Sequence, residues 1–170
     1  MLRPSLLAIA LSCLAVVLAP ASHGGRAAYP LLERIQIPVS SPAGNVSPKP
    51  LATGKTYLLR VTGTAFTGEG TGVGYGDAEY VENGQNGHVI DKCRNGVDLG
   101  VAVDDTSIAP GHRKHPYWGK YTTTHAYSAR MIGHGTRIRV DYHDCNYADN
   151  HYAPQFKTTP LTLSIYGPVP

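Results

Sequence analysis

Hydrophobic and polar residues alternate in short runs along this chain, and the runs break often. In "GVDLGVAVDD" (96–105), Val97, Leu99, Val101 and Val103 fall on one side, and Asp98, Gly100 and Ala102 on the other. In "RIRVDYHD" (137–144), Ile138, Val140 and Tyr142 alternate with Arg137, Arg139 and Asp141. "PLTLSIYG" (160–167) repeats the pattern with Leu161, Leu163 and Ile165 inward. A period of two predicts strands with one buried face, because successive side chains of an extended chain point to opposite sides. "GKTYLLRVTGTAF" (54–66) adds a strand after a turn signal, and "GHVIDKC" (87–93) a short one. "YWGKYTTTHAYSARMIG" (117–133) is rich in aromatic and β-branched residues, with no clean apolar stripe at helical spacing.

Punctuation between the runs is dense. Five glycines between 68 and 76, in "GEGTGVGYG", predict a loop with unusual backbone angles or close backbone approach. Residues 22–52 read as an extended, Pro/Gly-rich lead-in with one edge-strand candidate in "LLERIQIPV" (31–39), since proline restricts strands to short or edge pieces. The folded body is expected over 53–170. Seven or eight short strands without a convincing helix point to an all-β fold, a β-sandwich or jelly roll.

The first residues bear on compartment. Arg3 followed by an apolar run from Leu6 to Leu18 and the small residues Ala19-Pro20-Ala21 reads as a signal peptide over 1–21, which makes the protein secreted. No later segment is long and apolar enough to span a bilayer as a helix. Cys13 lies in the leader, so Cys93 and Cys145 remain, and an even pair in an oxidising compartment is expected to form one disulfide. Without Arg3 the chain carries 14 basic and 12 acidic residues, too even a balance for nucleic acid. The densest basic stretch, "GHRKHPYW" (111–118), reads as a solvated loop. Asn45-Val46-Ser47 is the single N-glycosylation sequon, with Asn45 the acceptor.

Chemistry concentrates in "HDCNYADNHYAP" (143–154). If Ile138, Val140 and Tyr142 face the core, Asp144 opens a turn that also contains Asp149 and Asn150. Two carboxylates, an amide oxygen and intervening carbonyls match the hard oxygen ligands that Ca²⁺ takes in sets of about six to eight. The competing reading is a plain turn, in which Asp and Asn side chains bond the nearby backbone. Zinc or copper is a weaker alternative, because His143 and His151 flank the loop without a recognised ligand spacing. No nucleophile elbow, H-E-x-x-H or phosphate loop occurs, so the chain is not expected to be an enzyme.

The late loop followed by a closing strand resembles the end of the small calcium-dependent galactose-binding bacterial lectins, the LecA-like β-sandwiches. The resemblance implies a Ca²⁺ held by Asp144, the Ala148 carbonyl, Asp149 and Asn150, completed by a carbonyl of Phe66 or Thr67 from the loop after an early strand. It implies a glycan partner, a hexose whose hydroxyls bind the ion. Tyr75 and Asp77 of "YGDAEY", together with Tyr147 and His151, would contact the sugar, and Tyr152 or Trp118 are further aromatic candidates. A shorter loop, and Asp149 where the family has Asn, depart from that pattern. The alternative from another class is a secreted structural β-sandwich that assembles with copies of itself, through the segment 38–50 and unpaired strand edges, without binding sugar.

Overall fold

The computed structural model describes residues 29–69, 72–94, 96–105, 116–152 and 158–170. The leader and the basic stretch 111–115 lie outside the described residues. The fold is all-β. Its strands are β1 (Leu31–Gln36), β2 (Asn45–Val46), β3 (Thr56–Thr62), β4 (Ala65–Glu69), β5 (Gly72–Gly76), β6 (Val81–Asn83), β7 (Val89–Ile90), β8 (Gly100–Asp105), β9 (Ala126–Ile132), β10 (Ile138–His143) and β11 (Thr162–Val169). A single 3-10 turn, Tyr147–Asp149, is the one helical element among the described residues.

Among the described residues three sheets result, with strand orders β1-β11-β3-β9, β2-β10-β8 and β4-β5-β6-β7. All pairings are antiparallel. Alternation sets which side chains go inside. Leu59, Val61, Leu163 and Ile165 of the first sheet join Val101, Val103, Ile138, Val140 and Tyr142 of the second in one hydrophobic cluster. Trp118 closes it, its indole N–H donating to the Val101 carbonyl at 2.7 Å, so this aromatic is core rather than a surface platform.

The edge strand expected within 31–39 is present as β1, and two segments carry more structure than the sequence reading gave them. The lead-in contributes β1, β2 and the buried residues Ile35, Ile37, Val39 and Leu51, so the core begins well before residue 53. The amides of Ile37 and Leu51 donate to the carbonyls of Leu161 and Thr136, which ties this proline-rich stretch down. The glycine-rich stretch is a hairpin, β4 with β5, not a loop. Its glycines allow close approach: a Cβ on Gly76 would collide with the Tyr142 hydroxyl, and one on Gly74 would lie 2.6 Å from the Thr67 carbonyl.

Cys93 and Cys145 form the expected disulfide, with Cα atoms 5.9 Å apart. The bridge spans 52 residues and joins the loop after β7 to the turn after β10. Closing a loop of that length restricts the unfolded chain by about 4 kcal/mol. Cys93→Ser combined with Cys145→Ser is therefore expected to lower unfolding free energy by about 4 kcal/mol, read from the urea midpoint, with little change in the far-ultraviolet spectrum.

Candidate functional site

Where β10 ends, its last residues turn towards β4. Asp144 starts the turn by accepting the Cys145 amide at 2.6 Å. Asn146 then caps the 3-10 turn, its side-chain oxygen accepting from the Ala148 amide. Asn150 is buried and donates its side-chain N–H to the Val39 carbonyl at 3.0 Å. His151 exchanges two backbone hydrogen bonds with Phe66, and the two rings lie 4.5 Å apart. This pairing brings β4 against the turn, and Gly68 sits so close to Asp149 that a Cβ there would be 2.5 Å from Oδ2. The sequence-predicted residues Phe66, Thr67, Asp144, Ala148, Asp149, Asn150, Tyr147 and His151 thus belong to one region of the molecule.

A cleft of about 720 Å³ opens beside them, lined by Thr67, Gly68, Asp144, Asn146 and Asp149 on one side. Val81, Ile90, His88, Lys92, Arg94 and the disulfide form the rest of its wall.

The calcium-dependent hexose site expected from the loop is overturned. Among the described residues, the one group of His, Cys, Asp or Glu side chains close enough to share an ion is Cys93, Asp144 and Cys145. Its two sulfurs are joined in the disulfide, which leaves a single carboxylate. Ca²⁺ needs about six to eight oxygens, and Asp149 does not enter that group. The Asx and capping bonds of Asp144 and Asn146 are the turn chemistry that competes with metal binding. The zinc alternative fails similarly, since that group holds no histidine: His143 faces Asp141 at 3.4 Å and the His151 ring lies tilted against Phe66.

The sugar-contact residues fare no better. Tyr75 and Tyr147 are half-buried rather than displayed. Tyr152 uses its hydroxyl to donate to the Ile37 carbonyl. Asp77 is 1 % exposed and serves a different centre altogether.

That centre was not legible in the sequence. The Asp77 carboxylate accepts from the Glu79 and Tyr80 amides at 2.9 and 2.8 Å and from the Tyr127 hydroxyl at 2.8 Å, and it faces Nδ1 of His125 at 2.9 Å. His125 holds a left-handed backbone, φ 47°, which is uncommon outside glycine. The hydrogen bond to Asp77 raises its pKa above the usual imidazole range, against the opposing effect of burial. Tyr121 packs edge-on to His125 and donates to Glu82; burial, then that bond, pushes its hydroxyl up to about 12. Glu79, raised first by burial, accepts the Trp118 amide. This cluster ties the turn before β6 to the segment entering β9.

Several buried oxygens near the cleft have no hydrogen-bond partner within the protein: Thr67 Oγ1, Tyr142 OH, Asp149 Oδ1 and Asn150 Oδ1. A hydroxyl in that position contributes nothing that valine lacks, so Thr67→Val is expected to be neutral or to stabilise by up to about 1 kcal/mol. Treatment with a chelator is expected to leave the melting temperature of the natural protein unchanged, and a fall of several degrees would reinstate a metal. The His125–Asp77 pair has a pH signature. Because the folded pKa lies above the unfolded value near 6.5, its stabilisation is complete below about pH 6.5 and disappears as pH rises through the folded value. Denaturant titrations from pH 5 to 9 are expected to show that loss, and His125→Asn to remove it. The chain matches no protein-family model, no curated protein and no solved structure.

Proposed function

We propose that the protein is a secreted structural β-sandwich that assembles with copies of itself and performs no catalysis. The leader-like start and the disulfide support export, since such bridges persist in oxidising compartments. The shared core between the β1-β11-β3-β9 and β2-β10-β8 sheets supports a sandwich arrangement.

One observation carries the assembly reading. Large apolar side chains are exposed at seven described positions, and four of these lie on strands at the edges of their sheets: Leu31 and Leu32 on β1, Val46 on β2, and Ile132 on β9. Single exposed apolar residues are ordinary, but apolar residues gathered on sheet edges mark surfaces where another strand adds. Backbone hydrogen bonds then supply affinity, and the side chains beside them supply selectivity.

Sedimentation velocity of the leaderless protein over a hundredfold range of concentration tests this. The weight-average mass is expected to rise with concentration and to be indifferent to added galactose and to chelator. A monomer at every concentration would sink the proposal.

A further inference from the structure

The edges of the three sheets are not equivalent. β1 is interrupted by a register shift between Leu31 and Glu33 and carries Glu33 and Arg34. β2 has two residues. On the outer side of β8, the Val101 amide donates to the Ala78 carbonyl, and the Val101 carbonyl accepts from Trp118. The outer edge of β4 is taken by the reciprocal Phe66–His151 bonds. These are devices that stop a strand edge from recruiting another chain: bulges, charge, shortness and cover.

β9 has none of the bulges, shortness or cover, and of charge only Arg130. It runs seven residues in unbroken register with β3, from Thr56↔Ile132 to Thr62↔Ala126. Its sequence, AYSARMI, contains no proline and one charge, and among the described residues no strand pairs its other side. Ile132, 55 % exposed, is the most exposed large aliphatic side chain of the described residues. The direction of its peptide groups follows from its neighbour: Gly133 donates to the Lys55 carbonyl and accepts from the Gly54 amide, so its peptide groups face β3. Strand alternation then points the N–H and C=O of Ala126, Ser128, Arg130 and Ile132 outward.

We infer that β9 is the self-association edge, pairing antiparallel with β9 of a second copy about a twofold axis at Ala129. This rests on the assembly reading and names its surface. A twofold axis perpendicular to the sheet keeps inward side chains inward, so each residue must oppose one of the same parity. Centring on Ala129, the strand midpoint, pairs all seven residues. Ser128 then lies opposite the partner's Arg130, Ala126 opposite the partner's Ile132, and Ala129 opposite the partner's Ala129. A shift of the axis to Arg130 would set two guanidinium groups against each other, and like charges directly opposite destabilise a pair. The chosen register hence avoids that repulsion and places Ile132 over a small residue. The four-stranded sheet becomes a continuous sheet of twice that width.

Two variants test it. Ser128→Pro removes an outward amide without touching a hydrogen bond to β3, a position where edge strands accept proline. The dimer would lose two hydrogen bonds, and the concentration needed for assembly is expected to rise roughly thirtyfold, with the melting temperature of the monomer confirming that the variant folds. Ala129→Cys is expected to give a disulfide-linked dimer on mild oxidation, because directly opposed non-hydrogen-bonded residues bring Cα atoms to about 4.5 Å. Ile132→Cys, exposed but not self-opposed in this register, serves as the control. Assembly of Ser128→Pro at wild-type concentrations, or crosslinking of Ala129→Cys no faster than Ile132→Cys, would overturn the β9 surface while leaving assembly intact. A natural protein that stays monomeric would overturn both.

Discussion

A protein whose regular structure is almost wholly strands must find partners for backbone N–H and C=O groups along every sheet border, and this requirement organises the molecule. Several irregular segments serve it. His151 caps the border of β4, Trp118 and Ala78 cap that of β8, and the stretch from Ile37 to Leu51 hydrogen-bonds across to Leu161, Ile138 and Thr136. The loops are held in these roles by few devices: a disulfide at one end and the Asp77 carboxylate at the other. A buried carboxylate that receives two amides and a hydroxyl and faces an imidazole is well compensated, because hydrogen bonds to a charged group exceed those between neutral partners.

The cleft beside the disulfide shows how the same residue types serve different ends. Asp and Asn gathered in a turn have an alternative to metal, the backbone amides within their own reach. Asp144 and Asn146 take that alternative at Cys145 and Ala148. Asn150 instead spans 111 residues of sequence to hold Val39, so the late turn anchors the lead-in segment rather than a ligand. Its shape owes more to what it holds in place than to what it encloses.

Much of the strand layout was legible in the sequence, for a simple reason. Ile138, Val140, Tyr142 and Leu161, Leu163, Ile165 alternate because one face of each run is buried, and all six are fully or almost fully buried. The glycine-rich stretch was half legible: the close approach its glycines predicted is there, but its strand pairing and the neighbour it makes room for, Tyr142, were not. Nor was the burial of Asp141, which alternation assigned to the outside. The partnership of Asp77 with His125 joins residues 48 apart through a left-handed backbone that no local pattern announces. The calcium expectation failed because spacing reports which donors are close in sequence. Side-chain direction is a property of the folded chain.

Ser47 carries a consequence for the order of events in the life of the chain. Its hydroxyl is fully buried, donating to the Lys49 carbonyl and accepting the Ile138 amide from 91 residues downstream. Asn45, two positions earlier, sits in β2 with its side-chain N–H held by the Gln36 carbonyl. The acceptor triplet Asn45-Val46-Ser47 is thus open to a transferase only while β10 is still unmade. Any sugar at Asn45 has to arrive during synthesis, in the interval between the emergence of residue 47 and that of residue 138, or before the sheet closes behind it.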